Sequence, residues 1–136
     1  MIYCNQVLEH VRYPDQLISS AFRVLKPGGL FIGSVSYLEP FHSYSIFNFT
    51  PYGTAKVFTD AGFNVTELRP GTDGYSVITR QLLNRSKLLK PVWGFNGIYL
   101  LVRLLGAICD LSHQELNFLK LQFAGQIVFT AKACKD

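Results

Sequence analysis

The stretch from Ile2 to Ser36 constrains the fold most, because it reads as strand, polar turn, amphipathic helix, glycine-rich turn and strand. Ile2 to Leu8 is apolar enough for a buried strand. Pro14 suits the first turn of a helix, where its missing N–H costs nothing, and Asp15 beside it complements the helix dipole. Leu17, Ile18, Ala21, Phe22 and Leu25 then recur at three- and four-residue spacing, which predicts a helix over Pro14 to Leu25 with one apolar face. Pro27 cannot continue that helix, and Gly28 can take the positive φ of a type II turn. Leu30 to Val35 is a short β-rich run. Two strands joined through a helix form a right-handed crossover in a parallel sheet.

The wording of this unit, NQVLEHV followed by RVLKPGGLFIGSVS, resembles the class I S-adenosylmethionine-dependent methyltransferases, in the broad group that includes small-molecule O- and C-methylating enzymes. In that family the match falls on the fourth strand, the helix after it and the fifth strand. PYGTAKVFTDAGFNVTEL, Pro51 to Leu68, is similar to the next helix and the sixth strand. Thr50 can cap that helix, Tyr52, Ala55, Phe58 and Ala61 give it an apolar face, and Gly62 ends it. QIVFTAKA, from Gln126, reads as a closing strand, which the resembling fold inserts antiparallel between its fifth and sixth.

The resemblance implies an α/β fold: a partial Rossmann-like methyltransferase sheet, strands equivalent to 4-5-7-6, with flanking helices. Strands are expected near 2–7, 30–36, 63–68 and 126–132, the first three parallel. Residues 1–136 would form one incomplete methyltransferase domain, with 37–52 as an aromatic acceptor loop and 75–123 as a mainly helical insertion. The family's E/D-x-G-x-G-x-G turn and its ribose-binding acidic residue have no counterpart here, so the chain resembles the C-terminal half of such a domain. The first strand would then lie at an open edge that invites association. The isolated chain is expected to be inactive and to bind no cofactor.

Ligands of open α/β sheets bind outside the carboxyl ends of the strands. The resemblance places Asn5, Gln6, Val7, Leu8 and His10 in the S-adenosyl-L-methionine pocket, partly through backbone atoms. From the residues alone, Val7 and Leu8 also read as core, and Glu9 and His10 as caps of the helix turn. Some methyltransferases carry E-x-x-E-H at this point and bind a divalent metal. Gln6 replaces the first glutamate and removes one anionic ligand, so no metal is expected; Glu9 and His10 would be the ligands of one. Tyr37 to Tyr52 holds six of the chain's nineteen aromatics. A loop of that length often serves as a lid or binding segment. Tyr37, Phe41, Tyr44 and Phe47 are the acceptor-binding candidates there; the same rings could instead patch the domain's own core. His42 is the candidate general base, and the catalytic residue is otherwise unassigned.

Hydrophobic residues make up 49% and charged residues 16%, a globular balance. Three cysteines without C-x-x-C spacing argue for reduced thiols in the cytoplasm, and no leader pattern is visible. The net charge of +4 is local: between Asp73 and Asp110 there is no acidic residue but five basic ones, Arg80, Arg85, Lys87, Lys90 and Arg103. Cations so few and so interleaved with aliphatics do not suit nucleic acid. Ile98 to Cys109 is the greasiest segment and too short to span a bilayer. It suits a helix packed on the sheet or one lying on an anionic membrane, a peripheral contact through 80–109. The function expected is methyl transfer to a small or lipid-like acceptor, needing N-terminal elements not in this chain. The alternative is a non-catalytic remnant that binds a partner or a membrane surface.

Overall fold

The computed structural model describes residues 1–40 and 43–135. Four strands form one mixed sheet in the order β1-β2-β4-β3: β1 (Ile2–Asn5), β2 (Leu30–Ser36), β3 (Phe63–Pro70) and β4 (Gln126–Ala133). β1 pairs parallel with β2, and β4 runs antiparallel to both β2 and β3, so the first three strands point the same way. This is the α/β sheet expected from the sequence.

Helix α1 (Pro14–Val24) connects β1 to β2 and buries Ile18 and Ala21, with Leu25 buried just beyond its end. The turn after it places Gly28 at φ +73°, where a side chain would be strained. Helix α2 (Pro51–Asp60) is capped by Thr50, whose Oγ1 accepts from Gly53 N at 2.9 Å. Its buried face is Thr54 and Phe58; Tyr52, expected on that face, is 77% exposed because it sits in the first turn on the solvent side.

The core lies between the sheet and these two helices. Alternation along β4 turns Ile127, Phe129, Ala131 and Ala133 inward. Phe31, Phe58, Phe63 and Phe129 meet there edge-to-face or tilted, with ring centroids 4.6–5.9 Å apart. Such contacts add to the area each ring buries.

β1 is not the buried strand its apolar run suggested. Only Cys4 in it is buried, Tyr3 is 71% exposed, and among the described residues its outer edge has no strand partner. Gly33 faces Cys4 across the β1–β2 pair, and a Cβ at Gly33 would come within 1.7 Å of the Cys4 carbonyl oxygen. Only glycine allows that approach.

Between β3 and β4 run α3 (Gly74–Leu82), α4 (Lys90–Trp93), α5 (Gly97–Ile108) and α6 (His113–Gln122). α5 packs chiefly against α3 and α6, where the sheet-packed reading expected the sheet. Asp73 ties this region to the sheet. Its fully buried carboxylate accepts from Ser76 N at 2.7 Å and from Ile98 N and Tyr99 N at 3.1 and 3.4 Å. One side chain thus satisfies free N–H groups at the starts of two helices, α3 and α5.

Candidate functional site at the strand ends

β1, β2 and β3 all end on the same side of the sheet, and two polar turns meet there. After Asn5 the chain enters a left-handed residue, Gln6, at φ +54°, uncommon for any side chain but glycine. The turn continues as a short 3₁₀ helix, Leu8–His10. Gln6 N is held by Ser34 O at 3.0 Å, which fixes the bend against β2.

Ser34 and Ser36 are two apart on β2, so their hydroxyls project to one face. Ser34 Oγ donates to Asn5 Oδ1 at 2.6 Å. Ser36 Oγ lies 3.2 Å from Glu9 Oε1 and 3.0 Å from Glu39 Oε2, within donating distance of two carboxylates. Carboxylates accept only, so the Gln6 amide turns its nitrogen toward them, 2.9 Å from Glu9 and 3.1 Å from Glu39, while its oxygen lies 3.1 Å from Ser34 Oγ, whose single proton it shares with Asn5 as alternative acceptor. Gln126 Nε2 donates to Glu39 Oε2 at 3.2 Å from the start of β4.

The loop after β2 closes over this cluster. Ile46 N and Phe47 N both donate to Glu9 O, at 2.7 and 3.2 Å, and Phe49 N donates to Ser36 O at 2.7 Å. Glu9 is fully buried beneath it, and among the described residues its Oε2 has no hydrogen-bond partner. A buried carboxylate oxygen left in that state is costly and marks an acceptor-rich site. Burial, and after it the charge of Glu9, push the nearby Cys4 thiol pKa up.

Among the sequence candidates, Asn5, Gln6 and Val7 stand at the strand end with accessible side chains, and His10 is half-buried at the end of the 3₁₀ turn. Leu8 is fully buried in the core, so only its backbone can meet a ligand. Tyr37 is half-buried against the core, Phe47 stacks edge-on to Phe49, and Tyr44 is 90% exposed. Phe41 and His42 lie outside the described residues. Among the described residues no group of three His, Cys, Asp or Glu side chains could hold a metal. The sequence reading passed over Ser34, Ser36, Glu39 and Gln126 as site residues. Two serines at alternate positions of an otherwise apolar strand were the available signal; Gln126 joins only through its register opposite Ser36.

A cleft of about 560 Å³ lies at the end of β3, lined by Arg69, Pro70, Arg103, His113 and Lys120 among others, and includes none of the polar cluster at β1 and β2. The cluster at the ends of β1 and β2 is the better site: it combines the strained residue, a buried carboxylate oxygen without a partner among the described residues, and the position where open α/β sheets bind ligands.

Residues 1–33 match the family model described as a methyltransferase domain. The chain is similar in fold to a structure titled as the [4+2]-cyclase SpnF, at 17% identity and TM-score 0.54, covering 98% of this chain and 49% of that one. A putative methyltransferase from Bacillus halodurans gives 16% identity and TM-score 0.51 over 98% and 68%. A phosphoethanolamine N-methyltransferase 2 from Haemonchus contortus, in complex with S-adenosyl-L-methionine, gives 16% and 0.53 over 98% and 33%. No curated protein matches the chain in sequence. The chain spans about half the length of the first of these structures. The sheet order, the parallel β1–β2 unit and the antiparallel β4 together give this chain the fold of the second half of a class I S-adenosylmethionine-dependent methyltransferase domain.

Proposed function

We propose that the strand-end cluster forms one wall of an S-adenosylmethionine-dependent methyl-transfer site that accepts a small or lipid-like molecule. The observation that carries this reading is the convergence of Gln6, Glu9, Ser36 and Glu39 at the carboxyl ends of β1 and β2, with the buried Glu9 Oε2 unpartnered among the described residues.

This donor set fits part of the cofactor. The surplus of acceptors suits a cationic ligand, and S-adenosylmethionine carries a sulfonium and an ammonium group. When bound, it supplies an electrophilic methyl group. Asn5 and Gln6 offer amide groups at the rim, and the aromatic loop gives an apolar side on which an acceptor can rest. Glu39, half-exposed at the edge of the cluster, is placed to take a proton from an acceptor that must lose one. Orientation of the two reactants supplies much of the rate in such a transfer. Among the described residues no glycine-rich turn or ribose-binding carboxylate stands beside this wall, so binding requires strands on the open side of β1.

The test joins the chain, ahead of Ile2, to the first half of a methyltransferase of this fold and titrates S-adenosylhomocysteine calorimetrically. Binding by the joined protein, weakened about tenfold or more in Gln6→Ala or His10→Ala without a lowered melting temperature, is the expected outcome. An unchanged affinity with a lowered melting temperature would assign these residues to structure alone.

The [4+2]-cyclase title of one similar structure shows that this fold is also found in a protein named for a different reaction. A joined protein that binds the cofactor yet transfers no methyl group to any small-molecule nucleophile in a panel would favour that second reading.

A further inference from the structure

Helix α5 turns its greasiest face away from the protein. Val102 and Gly106 are buried against the neighbouring helices, Gly106 fitting beneath Leu116. On the opposite side Leu100, Leu101, Leu104, Leu105 and Ile108 are 45–80% exposed. At 100° per residue these five side chains form one continuous aliphatic stripe. Leu88, Val92 and Phe95 are exposed before it, on and around α4.

The charge on the stripe and before it has one sign, with Asp110 standing just past its end. No acidic residue occurs between Asp73 and Asp110, and Arg85, Lys87, Lys90 and Arg103 are exposed there. Among the described residues none of these four makes an ion pair. Arg103 shares a cleft with Phe95, Leu100 and Lys120, so cations stand directly beside the apolar surface. Tyr99, half-buried, lines the same cleft as Leu100 and Arg103. Exposed apolar stripes of this kind mark interaction surfaces.

From this juxtaposition we propose that α5, with the segment from Arg85 through α4, docks on the surface of an anionic phospholipid bilayer. The aliphatic stripe enters the headgroup–acyl boundary while Lys87, Lys90 and Arg103 meet lipid phosphates. An aliphatic stripe flanked by unpaired cations is the composition of interfacial helices. Protein hot spots, by contrast, favour tryptophan, tyrosine and arginine over leucine. The contact is peripheral: a twelve-residue helix is about 18 Å long against a hydrocarbon core of about 30 Å, and among the described residues no helix is long and apolar enough to cross.

The test is flotation of the 136-residue chain with vesicles of phosphatidylcholine alone or mixed with phosphatidylserine. Binding to the mixed vesicles only, lost in Leu101→Glu/Leu104→Glu and weakened roughly 30-fold in Lys87→Ala/Lys90→Ala, is expected. Both pairs are exposed, and circular dichroism checks that the variants keep their helices. Equal binding to both vesicle types would overturn the proposal. So would failure to float with either, or a dimer that Leu101→Glu/Leu104→Glu dissolves without lipid.

Discussion

The sheet with α1 and α2 and the helical region from α3 to α6 are built by opposite means. The first is held by packing: a phenylalanine cluster fills the space between sheet and helices, and Gly33 lets two strands close on one another. The second buries little of its own surface and is fastened at its start by Asp73. The polar cluster sits on the packed half, where its geometry is rigid; the exposed aliphatic stripe sits on the fastened half. Sites that must hold a reacting geometry belong on rigid elements, and regions of low local stability open first.

The largest effect should come from Gly33→Ala. Its Cβ has nowhere to go against the Cys4 carbonyl, so β1 must separate from β2, at a cost of about 3 kcal/mol or more. Urea unfolding would read the loss, and faster alkylation of the otherwise buried Cys4 would show that the separating strand is β1. Asp73→Ala comes next. Two helix starts lose their cap for about 2 kcal/mol, and hydrogen exchange should rise across 97–108 while β2 and β4 stay protected. Equal loosening of both regions would show that they unfold as one unit.

The smallest effect is a pH dependence. Burial, and then the Asp73 carboxylate, raise the pKa of Tyr99 above its ordinary 10.0. The folded state holds that proton more tightly than the unfolded chain does. The stability it contributes is therefore complete below about pH 10 and falls as pH rises beyond it. Tyr99→Phe should flatten the alkaline limb of a stability–pH curve; an unchanged limb would place the titration elsewhere.

The same contrast decided what the sequence revealed. Local signals announced the packed half: Pro14 and Asp15 opened α1, Gly28 turned it, and QIVFTAKA read as the closing strand. The site was half legible. Asn5 ends β1 and Gln6 and His10 follow it, but Glu39 and Gln126 reach the cluster through a loop path and a long-range register that no local pattern encodes. The orientation of α5 was illegible for a related reason: a helix apolar all round does not say which face its neighbours will leave open.

Hydrogen exchange on the joined protein, with and without S-adenosylhomocysteine, tests most directly whether the packed half holds the site. Added protection at residues 5–10 and at Ile46 and Phe47, with 97–108 unchanged, is the predicted result. Protection confined to 97–108, with residues 5–10 exchanging as before, would contradict it.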